Sequence, residues 1–215
     1  MANIDNTLTE GEEQNGYVLL FNGVTLNGWH TYQNKPGSWV IEENAINLHK
    51  MEDAQYADLV TDGQYENFEL LIDWKMEPRA NSGIMYLVSE EFEHSYLSGP
   101  EYQVLDDHAF IDRIKNNQKC AAVYEIKGPA ADAACPIGDW NNAKIIVNNS
   151  LVEHWLNGVK VVEYTLWSED WKAAKDAGKW KDVDSYAAYK TGHIVLQDYH
   201  GEGKVWYKNI KLRKL

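Results

Sequence analysis

The stretch "NAKIIVNNSLVEHWLNGVKVVEYTLW", residues 142–167, decides the fold class. Apolar and polar side chains alternate along it, as the two-residue period of a half-buried strand requires. Two breaks interrupt the alternation. One is "NNS" at 148–150; the other is Asn157-Gly158, a pair strongly favoured in two-residue hairpin turns because it tolerates positive φ. The stretch reads as three consecutive antiparallel strands.

The pattern continues outward. "GYVLLFNG" and "VTLNGWHTY" open the ordered domain. "SWVIEENAINLHK" is a hairpin in which Trp39 to Glu42 and Ala45 to His49 flank a turn at Glu43-Asn44. "YENFELLIDWKME" is one long strand, with Leu70, Ile72, Trp74 and Met76 on the core face and Glu69, Leu71, Asp73 and Lys75 on the other. "NSGIMYLVSE", "EYQVLDD" and "AAVYEIK" follow as strands, and "GHIVLQDYH" and "KVWYKNIKLRKL" close the chain. One helix stands out, "SEDWKAAKDAGK", with Ser168 as N-cap, acids in its first turn and Gly178 as its stop. Its Trp167, Trp171 and Ala174 share a face that packs over a sheet, and "DVDSYAAY" reads as a further helical turn. About a dozen short strands with one inserted helix make an all-β, two-sheet antiparallel sandwich. A parallel sheet would need a helix after nearly every strand. With no repeat or linker visible, residues 16–215 read as one domain behind a flexible lead of residues 1–15.

Bulk composition excludes several functions. The chain has 215 residues and a net charge of −13, with no Lys/Arg cluster, so nucleic acid and anionic membrane surfaces are disfavoured partners. No apolar run approaches the roughly 18–20 residues needed to span a bilayer. Nine Trp and thirteen Tyr are a heavy aromatic load, suited to β structure and to clefts that cover the C–H face of a sugar. Cys120 and Cys135 form neither a CxxC motif nor a zinc cluster; two free thiols are the better reading and one disulfide the alternative. "MANIDNTLTEGEEQNGY" has no basic n-region or apolar h-region, which suits a cytoplasmic protein or the mature part of an exported one. The sequence carries no signal for an oligomeric state.

No phosphate loop, HExxH or GxSxG occurs. "DDHAFID" holds metal-ligand atoms at a spacing that matches no established site, so it reads as a solvated turn. More informative are polar groups on apolar strands. In "SGPEYQVLDDH", residues 98–108, Glu101 and Gln103 share one face while Tyr102 and Val104 take the other. Gln197 shares a face with His193 and Val195; Lys127 aligns with Glu125 and Val123, opposite Tyr124. His200 follows "LQDY", and Arg79 and Asn81 flank the "RANSG" turn. Either these strands are neighbours and an acid, a base and several donors converge, or this is an ordinary wet sheet face. His154, between Val152 and Leu156, reads as a satisfied, half-buried histidine; His30, His49 and His94 carry no signal.

"YVLLFNGVTLNGW", "NSGIMY", "GPEYQVLDD", "AAVYEI", "WNNAKIIVNNSLVEHWLNG" and "GHIVLQDYHGEGKVWYKNIKLRKL", in that order, resemble the 3-keto-disaccharide hydrolase domain family from about Gly16 to Leu215. The resemblance implies a concanavalin A-like jelly roll whose concave sheet carries the carbohydrate site, with "EYQ" upon it. It implies a glycoside or oligosaccharide substrate already oxidised at C3, cleaved after removal of the C2 hydrogen. On that basis His200 or Glu101 would be base or acid, and Lys127, Arg79 and Gln103 the electrophilic and positioning groups. Asn81, Tyr124, Gln197 and Asp198 would contact the sugar. A divalent cation could replace the basic residues, although the sequence itself requires no cofactor. A non-catalytic carbohydrate-binding module and a two-carboxylate glycosidase remain as alternatives. By analogy with the family, the location would be the periplasm or the cell surface. The chain departs from the family pattern at Tyr86-Leu87, where relatives carry Arg, and in "LQDYHG", one residue longer than "LQDHG".

Overall fold

Residues 4–48, 57–198 and 202–215 are described in a computed structural model. Among them the chain forms, in order, α1 (Glu10–Gln14), β1 (Val18–Leu19), β2 (Trp29–Thr31), β3 (Trp39–Glu42), β4 (Ala45–Leu48), β5 (Leu59–Thr61) and β6 (Phe68–Met76). There follow β7 (Asn81–Val88), β8 (Glu101–Leu105), α2 (Asp107–Phe110), β9 (Asn141–Asn148), β10 (Leu151–Leu156) and β11 (Val159–Thr165). Helix α3 (Glu169–Asp176), β12 (His193–Leu196) and β13 (Val205–Lys214) complete the chain.

Two antiparallel sheets make a sandwich. The larger runs β11-β10-β9-β6-β13-β4-β3, with β1 also paired to β13; the smaller runs β2-β5-β12-β7-β8. The three-strand stretch folds as its turns dictate, with Asn157 at φ 50 and Gly158 at φ 80 between Leu156 and Val159. Glu43 and Asn44, both at positive φ, close the β3–β4 hairpin. Strand β6 alternates as expected: Leu70, Ile72, Trp74 and Met76 are buried and meet Ile84, Tyr86, Tyr102, Val104, Ile194 and Leu196 of the other sheet in one core. Each such side chain contributes about 1.5–3 kcal/mol on full burial.

One polar chain crosses this core. His154 Nδ1 donates to Ala121 O at 2.9 Å, which leaves Nε2 to accept from Tyr86 Oη at 2.9 Å; Tyr164 Oη then donates to Tyr86 Oη at 2.5 Å. Burial lowers the His154 pKa to about 4, so the ring is neutral. The histidine is satisfied, as expected, but fully buried rather than half-buried.

Helix α3 is capped by Ser168, whose hydroxyl accepts from Trp171 N. Its Trp171 joins a stack of rings running Tyr164–Trp171–Tyr186–Trp180, with centroids 5.1, 6.0 and 4.2 Å apart.

Two expectations give way. "AAVYEIK" is not a strand: Ala121 (φ 63) and Glu125 (φ 62) are left-handed and fold it into turns along the edge of β8. "DVDSYAAY" forms turns and no helix. In the amino-terminal segment α1 is closed by a reciprocal Thr9–Glu12 capping box, and Glu12 receives the Lys211 ammonium at 2.8 Å. Asn6 and Asn209 exchange backbone-to-side-chain hydrogen bonds of 2.6 and 2.8 Å. Both cysteines are free. No helix among the described residues is long and apolar enough to cross a membrane.

Candidate functional site

The inner face of the five-stranded sheet faces the core, so its outward face is where chemistry can be displayed. Pairing fixes what lies there. Val60, Val195, Met85 and Glu101 form one row across β5, β12, β7 and β8. One step along, Asp58, Gln197, Gly83 and Gln103 form the next, with Gln197 N donating to Gly83 O at 2.9 Å. At about 4.8 Å per strand that row spans roughly 14 Å.

Glu101 lies beneath the surface of this face. With the Gln103 amide turned to satisfy its neighbours, its nitrogen donates to Glu101 Oε1 at 2.8 Å and to Ser82 O at 3.1 Å. Gly83 makes the room: a Cβ there would stand 2.3 Å from Glu101 Oε1. Desolvation pushes the carboxyl up to about 8, opposed by the Lys179 ammonium and reinforced by Asp58. At neutral pH Glu101 therefore carries a proton.

A second acidic group stands where β12 ends. Asp198 N donates to Asp58 Oδ1 at 2.7 Å, while Asp198 Oδ2 accepts from Ala57 N at 2.9 Å. Asp198 Oδ1 is buried and has no hydrogen-bond partner among the described residues. Desolvation raises Asp198 to about 7, against the Ala57 hydrogen bond and with help from the Asp58 charge. Asp58 is itself raised by burial, and it accepts from the Ser95 hydroxyl. These groups line a cavity of about 290 Å³ together with Tyr32, Lys35, His94, Tyr96 and Gln197.

Two further groupings border the face. His30 lies between Asp62 (2.7 Å) and Glu90 (3.0 Å); burial works against its charge, but the two carboxylates prevail and raise its pKa. His193 Nδ1 donates to Thr61 O, and its Nε2 accepts from Gln64 at 2.9 Å. On the other side the Lys179 ammonium sits 4.6, 5.0 and 5.6 Å from the ring centres of Trp180, Tyr124 and Tyr96. A separate cavity of about 360 Å³, lined by Trp74, Met76, Cys120, Cys135 and Asp107 among others, lies away from Glu101. Among the described residues no group of three or more His, Cys, Asp or Glu is placed to hold a metal ion.

The expected site residues separate clearly. Glu101, Gln103 and Gln197 share the outward face; Asn81 lies on β7 two residues before Gly83, and Asp198 joins Gln197 at the cavity. Tyr124 borders them through Lys179. Lys127 does not join: Glu125 turns the chain, and the exposed Lys127 ammonium donates to Glu163 O of β11 at 2.8 Å. Arg79 is also elsewhere, exposed and paired through two nitrogens with Glu202 while lying over the Phe110 ring. His200 and His49 lie outside the described residues. Asp58, Ser95, His94, Lys35 and Lys179 were not anticipated. Asp58 alone had a usable signal, since it stands two residues before Val60 on the same strand face.

Comparison with known proteins agrees with the sandwich fold. Residues 16–213 match the family described as 3-keto-alpha-glucoside-1,2-lyase-like domain. A 3-keto-disaccharide hydrolase from Bacteroides thetaiotaomicron is 33% identical, over 94% of this chain and 80% of its own length. The crystal structure of a putative glycosyl hydrolase from Parabacteroides distasonis superposes with a TM-score of 0.89 at 34% identity, covering 99% of this chain and 100% of that one. Another putative glycosyl hydrolase from that organism gives 0.72 at 25% identity, covering 93% and 99%.

Proposed function

The chain belongs to the 3-keto-alpha-glucoside-1,2-lyase-like family, and from that premise we propose that its outward sheet face cleaves 3-keto-glycosides by elimination. A ketone at C3 acidifies the hydrogen at C2. A base removes that proton, and the electron pair of the C2–H bond becomes the enolate. The enolate then collapses: the ketone reforms, a C1–C2 double bond forms, and the C1–O bond breaks. The leaving oxygen takes a proton and departs as an alcohol. Water adding across the new double bond at C1 gives net hydrolysis; release of the unsaturated sugar gives the lyase outcome.

Asp198 has the properties of the base. Its carboxyl lines the cavity, one oxygen is uncommitted among the described residues, and its pKa is raised to about 7. Glu101, protonated at neutrality, is the matching proton donor for the leaving oxygen. Lys35 and His94 line the same cavity, and in this reading they meet the charge that develops on the C3 oxygen. The observation that carries the proposal is the pair of buried carboxyls raised to about 7 and about 8, one lining the cavity where β12 ends and the other on β8 of the same sheet.

The test is incubation of the protein with a 3-keto-β-glucoside and its unoxidised parent, each with and without chelator, while aglycone release is followed. Release from the keto substrate alone supports elimination, and its loss on chelation would add a metal. Release from both would favour the two-carboxylate mechanism. Release from neither would leave a binding module.

A further inference from the structure

We propose that the space between the rings of Tyr96, Tyr124 and Trp180 is the leaving-group subsite of the neighbouring cavity, that it takes a flat aryl aglycone, and that Lys179 is its displaceable occupant. The proposal rests on the function proposed above for that cavity.

Three ring faces converge on one point, and the Lys179 ammonium fills it at 4.6–5.6 Å from each centre. A cation is attracted to such faces, which accounts for the ammonium lying there, while the Tyr96 and Trp180 ring centres stand 6.4 Å apart beside it. The Trp180 wall is held in place. Trp180 lies flat on Tyr186 at 4.2 Å with the planes 5° apart, and its indole N–H is committed to Tyr124 O at 3.1 Å. A wall so held loses little freedom when a ligand enters.

The occupant differs from the walls. Lys179 is exposed just beyond the end of α3, and no hydrogen bond or close ion pair holds its ammonium among the described residues. Withdrawing it into water would uncover aromatic faces without breaking a buried polar contact.

Position assigns the ligand. Tyr96 lines the polar cavity and is also one wall of the cage, so the two spaces share a side. The cavity, with Asp58, Ser95, Asp198 and Gln197, has the hydrogen-bonding groups a sugar needs. The cage presents ring faces, which suit an aryl group stacked face or edge on. Glu101, whose carboxyl feels the Lys179 charge, is on the same side of the sheet as the cage.

The experiment compares phenyl and methyl 3-keto-β-glucosides in the wild type, Lys179→Ala and Tyr124→Leu. Phenoxide is intrinsically the better leaving group in all three proteins, so the change in the phenyl-to-methyl ratio of kcat/KM isolates the cage. Lys179→Ala should raise that ratio roughly three- to tenfold, through a lower KM for the phenyl substrate, and Tyr124→Leu should lower it by a similar factor. A ratio that moves in neither variant overturns the proposal. Titration of the same proteins with phenol, followed by the NMR signal of the Trp180 indole N–H, needs no turnover. Tighter phenol binding in Lys179→Ala supports the subsite even if neither glycoside is cleaved, an outcome that would sink the proposed reaction alone. Phenol affinity equal in all three proteins, or no binding in any, overturns the subsite.

Discussion

Gly83 and Glu101 occupy overlapping space: a Cβ on the glycine would come within 2.3 Å of the carboxylate oxygen Oε1 and 2.7 Å of Cγ. Strand β7 therefore yields its side chain so that the acid of β8 can lie across it. Gly83→Ala should push Glu101 aside, lower turnover of a 3-keto-glucoside by about tenfold or more, and cost roughly 1–3 kcal/mol of stability. Steady-state kinetics with a denaturant melt would check both, and full activity in this variant would remove Glu101 from the mechanism.

The two raised carboxyls predict the pH profile of the proposed reaction. Asp198 must be ionised to act as base and Glu101 protonated to act as acid, so kcat/KM should rise through about 7 and fall through about 8. Asp198→Asn should abolish most turnover, whereas Glu101→Gln should remove the fall on the alkaline side from whatever activity survives. A profile flat from pH 6 to 9 would contradict both assignments.

Stability should depend on pH in a defined direction. Between the ordinary carboxylate value of 4.5 and about 8, native Glu101 holds a proton that the unfolded chain has released. Stability then falls as pH rises through that window, by about 1.4 kcal/mol per unit for each such group. Asp198 adds to the fall up to about 7. His154, lowered to about 4, acts oppositely: stability falls as pH drops from 6.5 toward 4. Urea melts across pH 5–9 should show Glu101→Gln more stable than wild type at pH 8, by about 2 kcal/mol after allowance for relaxation. No gain at that pH would mean the carboxyl is hydrated in solution.

The buried chain from Ala121 through His154 and Tyr86 to Tyr164 offers a clean deletion. Tyr86→Phe removes the hydroxyl that donates to His154 Nε2 and accepts from Tyr164. Two buried polar atoms lose their partner, at a cost of about 1–3 kcal/mol. Chemical denaturation measures this, and a loss below about 0.5 kcal/mol would show that the site readily admits a replacement partner.

The amino-terminal segment should matter for stability. Lys211 is buried in β13, with the Glu12 carboxylate at 2.8 Å. Removing residues 1–15 leaves that ammonium unpaired and takes away the Asn6–Asn209 pair, so the truncated protein should lose roughly 2–4 kcal/mol. Equal thermal midpoints for the two proteins would show that the contacts are incidental.

Much of this was legible wherever local chemistry decided the outcome. The turns at Glu43-Asn44 and Asn157-Gly158, the alternation of β6 and the Ser168 cap need no distant partner to form. The shared face of Glu101 and Gln103 followed from strand period alone. What failed depended on long-range contacts. "AAVYEIK" alternates like a strand, yet Ala121 and Glu125 turn left-handed to follow β8, and that reverses where Lys127 points. Lys179 lies in a turn beyond a helix, where no periodicity marks it as a neighbour of Glu101. Asp58 and Asp198 meet only because β5 and β12 pair across 140 residues of chain.

The folding of residues 121–127 against β8 has one more consequence. Ala121 N donates to Gln103 O, Gln103 N to Ala122 O, and Tyr124 N to Glu101 O, so the outer hydrogen-bonding groups of this last strand are occupied by the chain's own irregular backbone. An open strand there would be a template for another molecule's strand. The turns act as a selvedge, keeping the border that bears Glu101 from being extended into an aggregate.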